Sequence, residues 1–203
     1  MKRLLPVISL CLLSQLSFAQ VKKKAILPAD VQIRAALMAA PQEYRDSATV
    51  IGVSPEGKWI TLREGSNDMI CLAPNPKQLG IYVYAYPKRL EPFMARGREL
   101  AALGKRINEK DTIREAEIKS GKLPFPKDPT ILYGYWGKDE ELIPETGEIK
   151  NGQRRYVVYI PYATAASTGM PTEPNIPGMP WLMGAGTYKA HIMINPENMG
   201  HSH

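Results

Sequence analysis

The spacing of apolar residues switches to a period of two near residue 48, and this switch constrains the fold more than any other feature of the chain. Residues 49–53 and 58–63 follow the alternation that is typical of half-buried β-strands. The four residues between them have Pro55 at the second and Gly57 at the fourth position of a type I turn. The segment therefore predicts a β-hairpin.

Further strands are expected along the rest of the chain. Asn151 and Gly152 form a pair that strongly indicates a tight turn between two antiparallel strands. The predicted strands cover residues 69–73, 81–86 and 131–135, a segment entering 150–153, and residues 155–162 and 190–194.

Three other segments have helical spacing. Asp30 suits the N-cap of a helix over 30–40. A second helix over 91–103 ends before a glycine, and a third over 111–120 carries charges that indicate a mostly solvated face. With the strands, they predict a single α+β domain over residues 29–195: a mainly antiparallel sheet with an N-terminal helix and an inserted helical pair.

Residues 1–19 have the three parts of a cleavable secretory signal peptide. Lys2 and Arg3 give the charged start, residues 4–16 the apolar stretch, and Ser17 with Ala19 a small-x-small cleavage site. The apolar stretch is too short for a membrane helix, which needs about 20 residues, and no later segment is long and apolar enough. We therefore expect a periplasmic or extracellular protein that begins at Gln20 and has no membrane span.

The charge pattern excludes one class of partner. The chain has 26 basic and 20 acidic residues, and removal of Lys2 and Arg3 with the signal peptide leaves 24 basic residues, a mild surplus. Nucleic-acid binding requires a basic stripe interleaved with aromatic residues, which is not found, so no nucleic-acid partner is expected. Residues 20–28 are predicted to be a basic flexible N-terminus and residues 196–203 a flexible tail containing His and Met.

Four short patches stand out, at residues 62–67, at Cys71, at 161–164 and at 191–194. They read Leu-Arg-Glu-Gly-Ser-Asn, a following Cys, Pro-Tyr-Ala-Thr and His-Ile-Met-Ile. This combination resembles a group of small secreted bacterial proteins of unknown function. The resemblance covers residues 48–73 and 157–194, and the chain departs from it at 81–150 and in having no second cysteine after Cys71. The resemblance implies export and little about activity.

The first functional hypothesis is the binding of a small ligand. Residues 164–187 form a long segment rich in Pro and Gly, and loops of this length in compact domains are often functional. We therefore expect a lid or binding surface beside a pocket there, although the charged pair of residues 63 and 64 also suits ion pairing at a strand end. The candidate ligand-binding residues are Arg63, Glu64, Asn67, Tyr162, Thr164 and Trp181. The sequence specifies neither the ligand, nor a cofactor, nor the oligomeric state.

A second hypothesis is an enzyme in which Cys71 is the nucleophile and His191 the base. Alternate residues of a strand share a face, so His191 lies on the same face as Met193, whereas Ile192 and Ile194 are expected to face the core. A Cys-His pair forms only if the two strands are adjacent and in register. Burial of Cys71 as a small apolar side chain is the alternative.

A third hypothesis is copper binding. His191, Met193, Met199, His201 and His203 fall within 13 residues near the end of the chain. Imidazole and thioether ligands suit copper, especially Cu(I). The metal candidates are therefore His191, Met193, His201 and His203, although methionine also fills irregular gaps in a core.

Tyrosines recur on two of the predicted strands. Tyr82, Tyr84 and Tyr86 share one strand face, and Tyr133 and Tyr135 share a face of another strand. Such stripes stack on flat ligands or cover a half-exposed sheet. We favour the second interpretation.

Overall fold

The α+β class is confirmed by the computed structural model, which describes residues 24–195 and contains helices together with one eight-stranded sheet. The predicted signal peptide and the predicted tail from residue 196 onward lie outside the described residues. The strands are β1 Thr49–Val53, β2 Trp59–Arg63, β3 Met69–Leu72, β4 Ile81–Pro87, β5 Thr130–Gly137, β6 Gln153–Tyr159, β7 Trp181–Met183 and β8 His191–Ile194.

The sheet has the order β2-β1-β3-β4-β5-β6-β8-β7. Every neighbouring pair is antiparallel except β1 and β3, which run parallel with Val50 opposite Cys71. The predicted hairpin between β1 and β2 is confirmed, because the Gly57 amide donates to the Ser54 carbonyl at 2.8 Å to close the turn. Gly57 has a φ of +80°, a conformation that residues with a side chain rarely adopt.

Within residues 24–195, five α-helices accompany the sheet and cover both of its faces. Helix α1 contributes to the core on one face, and the pair α3 and α4 packs over the other. The helices are α1 Ala29–Leu37, α2 Gln42–Arg45, α3 Glu91–Ala102, α4 Ile107–Lys119 and α5 Ala165–Thr168. None of the helices within residues 24–195 combines the length and the apolar character that crossing a bilayer requires.

Strand β4 shows how the two faces are built. Val83 and Ala85 are fully buried in the core beside α1, whereas Tyr84 and Tyr86 point to the core beneath α3 and α4. Because both faces are covered, the period-two alternation of the central strands divides apolar residues between two cores. The tyrosine stripe therefore lies under the helical pair.

Ion pairs and hydrogen bonds hold the helical pair in place. Arg96 of α3 forms a bidentate pair with Glu117 of α4, with nitrogen–oxygen distances of 2.7 and 2.9 Å. The Tyr86 hydroxyl donates to the Glu91 carboxylate at 2.8 Å and so links the sheet to α3. These contacts fix the distance between the helices and the sheet face below them.

Four local predictions need correction. Asp30 does not cap α1, since Pro28 is the N-cap and Asp30 pairs instead with Arg34 one turn later. The residues before the Asn-Gly turn form only an isolated bridge between Leu142 and Ile149, not a strand. Lys24, placed by the sequence in a flexible stretch, pairs with Asp139 and donates to a backbone carbonyl.

The fourth correction concerns the buried face of β8. Met193 packs in the core beneath α3 and α4, while Ile192 and Ile194, expected to face the core, are only half-buried. The sequence shows which residues of a strand share a face, and the helical pair decides which of those faces is covered.

Candidate functional site

The six residues predicted to bind a ligand are not brought together. Arg63 lies on β2 and Trp181 on β7, which are the two opposite edges of the sheet with six strands between them. Strands lie about 4.8 Å apart, so the two edges are separated by roughly 30 Å. The expectation that these six residues line one pocket is therefore wrong.

At the β2 edge, the candidate residues support the backbone. Arg63 donates from Nε and Nη2 to the carbonyl of Ala48 at 3.2 and 2.9 Å. Asn67 donates to the Tyr44 carbonyl at 2.7 Å and accepts from the Met69 amide at 2.9 Å. Glu64 is exposed. These contacts tie the end of β2 and the residues that follow it to the segment that runs from α2 to β1.

At the other edge, residues 164–187 contain regular structure of their own, namely α5 and β7. Thr164 accepts a hydrogen bond from the Ser167 amide at 3.1 Å and caps α5. Tyr162 is 55% exposed with a φ of +63°, and Trp181 packs against the core under α3 and α4. The segment does not line the cleft described below, so the lid expected there is not supported.

The Cys-His pair is absent for two geometric reasons. Strands β4, β5 and β6 separate β3, which carries Cys71, from β8, which carries His191. Four strand spacings amount to about 19 Å. Cys71 also points into the core beside α1, while His191 contacts Tyr159 on the opposite face. The second functional hypothesis therefore lacks its reacting pair.

Cys71 is expected to be unreactive in the folded protein. Its side chain is fully buried, and burial raises the pKa of the thiol to about 12. Since the thiolate is the nucleophile, native Cys71 has almost none of the reactive form at neutral pH. We expect iodoacetamide at pH 8 to leave the native protein unlabelled and to label it within minutes in 6 M guanidinium chloride. Rapid labelling of the native protein, measured by mass spectrometry, would contradict the buried position.

A cleft of about 580 Å³ lies between the helical pair and the sheet. Its roof includes Phe93 and Met94 of α3 and Asp111 and Arg114 of α4. Its floor is the sheet face formed by β4, β5, β6 and β8. The floor side chains include Tyr82, Tyr84, Leu132, Trp136, Arg155, Val157, Tyr159, His191 and Met193.

Gly134 opens the floor of this cleft. It lies opposite Tyr84 on β4 and opposite Arg155 on β6, so a row of large side chains is interrupted at its centre. A Cβ atom added at Gly134 would lie 3.6 Å from the Arg155 carbonyl and 3.7 Å from the Tyr84 ring, which are ordinary contact distances. The space above Gly134 is therefore part of the cleft.

Aromatic rings form much of the surface on either side of this space. Tyr82 and Trp136 are cross-strand neighbours whose rings are nearly parallel, with an angle of 4° between their planes and 6.4 Å between their centroids. The Arg155 guanidinium carbon lies 4.9 Å from the centroid of the Trp136 ring, within cation–π range. A flat ligand that stacks on Trp136 would thus also be aligned with Tyr82.

The charged side chains cluster around Asp111. Its carboxylate accepts from Arg114 at 2.9 Å and also pairs with Lys189, which lies two residues before the start of β8. Burial opposes ionisation of Asp111, but the hydrogen bonds from Lys189 and Arg114 outweigh it and lower the pKa of the carboxyl. Asp111 is therefore a carboxylate at neutral pH.

His191 lies in the same cleft with a defined tautomer. Its Nδ1 is 2.7 Å from the Lys189 carbonyl oxygen, and because a carbonyl only accepts, Nδ1 carries the proton. Burial lowers the pKa of His191, so the ring is mostly neutral at neutral pH. In that form Nε2 has a lone pair and can accept a hydrogen bond.

Two sequence features belong to this cleft. The sequence favours Tyr82 and Tyr84 as cover for a half-exposed sheet, but they line the cleft. The charges of α4 predict a mostly solvated face, which α4 has, but Asp111 and Arg114 face the sheet. Helical spacing places both residues on one side of α4, but it does not show what that side contacts.

A larger hollow of about 660 Å³ lies beside α1, where the described part of the chain begins at Lys24. Its walls are mostly apolar, and Gln32 on its surface is fully engaged by backbone groups of Leu27 and Val53. A ligand site requires a few convergent polar groups to orient its ligand. The cleft under α3 and α4 meets that requirement better.

The described part of the chain gives little support to the copper hypothesis. Met193 is buried, and no group of three or more His, Cys, Asp or Glu side chains within residues 24–195 is placed to hold a metal ion. Two of the four candidates, His201 and His203, lie outside the described residues.

Comparisons of the chain with protein-family models, with curated proteins and with solved structures find no match.

Proposed function

We propose that this chain is an exported protein that binds a small ligand in the cleft between its sheet and its helical pair. The proposal of export is supported by the pattern of residues 1–19 and by the resemblance to small secreted proteins. The helical pair inserted between β4 and β5 serves as the roof of the binding site. The proposed binding site thus lies under α3 and α4, away from residues 164–187.

The observation that carries the proposal is the composition of the cleft. A volume of about 580 Å³ is in the range that holds a small molecule. Aromatic and aliphatic side chains make most of the surface, and a few polar groups converge on it from both the roof and the floor. This combination is typical of ligand sites, in which apolar walls provide affinity and polar groups fix orientation.

Binding fits the cleft better than catalysis. In the described part of the chain, the side chains that line the cleft include no Cys, Ser or Thr. The amine of Lys189 is engaged in an ion pair with the Asp111 carboxylate and is not free to attack a substrate. The cleft therefore offers groups for recognition and lacks an activated nucleophile.

Filling the floor of the cleft tests the proposal. Gly134→Leu adds a side chain to the open space, and we expect an at least about 100-fold loss of affinity for the fluorescent probe 8-anilinonaphthalene-1-sulfonate, because the new side chain excludes the probe sterically. The native protein should bind one probe molecule per chain. Fluorescence titration with calorimetric stoichiometry provides the measurement.

Two variants serve as controls for this experiment. Gly134→Ala makes only ordinary contacts and should keep most of the affinity. Thr61→Leu adds an apolar side chain on the exposed edge strand and should leave probe binding unchanged. Absence of stoichiometric binding, or equal binding by Gly134→Leu and the native protein, would refute a ligand site in the cleft.

A further inference from the structure

Positive side chains outnumber negative ones in the cleft. Arg114, Arg155 and Lys189 line it, and Asp111 is the one acidic side chain among its described lining residues. The cluster of Asp111 with Arg114 and Lys189 alone has one positive charge in excess, and neutral His191 adds none. In a partly enclosed site with low dielectric, such an excess favours an anionic ligand much more strongly than it would in water.

Asp111 marks where such an anion would bind. A carboxylate already fits between Arg114 and Lys189, so the two cations are held in an arrangement that suits a carboxylate. The Arg114 guanidinium also lies over the Phe93 ring at 4.0 Å, which restricts its position. The cations are thus oriented before a ligand arrives.

One donor of Arg114 has no acceptor. Its Nε is buried, and no group within residues 24–195 accepts a hydrogen bond from it. Leaving a buried donor unsatisfied costs free energy, and a charged donor costs more than a neutral one. An acceptor supplied by a ligand would remove this cost.

The aromatic side of the cleft adds a shape requirement. Trp136 and Tyr82 are nearly parallel and lie on the same floor as the gap above Gly134. A planar ring can stack on them while an attached negative group reaches the cations near α4. Aliphatic acids would use only the charged part of the site.

We infer that the ligand is a small organic acid, with a planar aromatic part that stacks beside Trp136 and a negative group that binds Arg114 and Lys189. This inference rests on the proposed ligand site and specifies the chemical class of its ligand. Asp111 acts as an internal competitor that the ligand's negative group partly replaces.

A matched pair of probes tests the inference. 8-Anilinonaphthalene-1-sulfonate and N-phenyl-1-naphthylamine share the same ring system, and only the first has a negative group. We expect the anionic probe to bind the native protein at least about tenfold more tightly. We also expect its affinity to fall as sodium chloride is raised from 20 to 500 mM, because salt screens charge interactions, while the neutral probe is unaffected by screening.

Variants of the charged residues show which side chains cause the tighter binding of the anionic probe. Arg114→Met and Lys189→Gln should each weaken binding of the anionic probe about tenfold more than binding of the neutral probe. Asp111→Asn should raise the affinity for the anionic probe severalfold, because it removes the competing carboxylate. Arg106→Met is the matched control, since that side chain is 90% exposed at the start of α4 and outside the cleft.

Near-ultraviolet circular dichroism of each variant establishes that the fold is retained, and the salt titration of the native protein gives a result that needs no variant. Equal affinity for the two probes, or a salt-independent affinity for the anionic one, would overturn the inference and leave an apolar ligand site in place. If neither probe binds to the native protein, the proposed function itself is overturned.

Discussion

Replacing Phe93 with Ala is expected to lower the free energy of unfolding by about 3–5 kcal/mol, the range for removing a fully buried aromatic side chain. Phe93 is 3% exposed and is the residue of α3 at the centre of an aromatic cluster. Its ring makes edge contacts with Phe125, Tyr159 and Tyr188 at centroid distances of 4.7, 6.0 and 6.2 Å. The substitution removes all three contacts and leaves a cavity between helix and sheet.

The same substitution should also impair the cleft. The Arg114 guanidinium rests on the Phe93 ring, so Phe93→Ala removes the surface that orients this cation. We therefore expect weaker binding of the anionic probe under conditions in which the variant remains folded. Urea denaturation followed by circular dichroism measures the stability, and the slope of the transition reports whether unfolding remains cooperative.

Phe93→Leu is the matched control for this prediction. It keeps an apolar side chain in the same place and loses mainly the ring contacts, so its cost should be smaller, about 1–2 kcal/mol. If Phe93→Ala lowers the free energy of unfolding by less than about 1 kcal/mol, the packing of α3 does not depend on this aromatic cluster.

Replacing Gln32 with Leu has the second large expected effect, a loss of about 3 kcal/mol in the free energy of unfolding. Gln32 lies on α1 and is only 2% exposed. Its amide nitrogen donates to the carbonyls of Leu27 and Val53 at 2.8 and 2.9 Å, and its oxygen accepts from the Val53 amide at 2.8 Å. Leucine has a similar size and none of these hydrogen-bonding groups.

The cost arises because the backbone partners stay buried when the side-chain amide is lost. An unsatisfied buried backbone group costs about 1–3 kcal/mol, and the amide serves groups both before α1 and at the end of β1. Gln42→Leu is the control at an exposed helix position, with an expected change within about 0.5 kcal/mol. Urea denaturation of both variants gives the comparison, and similar stabilities would show that water replaces the Gln32 side chain.

Gln32 and Phe93 belong to two different cores, and only the core around Phe93 adjoins the proposed site. Gln32 joins α1 to the end of β1, far from Arg114 along the chain, whereas Phe93 supports the roof of the cleft. A variant that weakens the first core should lower stability without changing probe affinity. The pair therefore separates a general loss of stability from a specific loss of binding.

The sequence by itself determined the local structure. The alternation over residues 49–63, with Pro55 and Gly57 in the turn, predicted the β1–β2 hairpin. It also determined which residues of β4 share a face, because successive side chains in a strand point to opposite sides. The α+β class followed from the lengths and order of these segments.

Only the tertiary structure decided which of these elements meet. The order of the strands put three strands between Cys71 and His191, and it put Arg63 and Trp181 at opposite edges of the sheet. The placement of α3 and α4 brought two tyrosines of β4 and two charged residues of α4 to a common cleft. The physical reason is that side-chain periodicity repeats over two to four residues, whereas the contacts between Asp111 and Lys189 join residues 78 positions apart through packing of the whole domain.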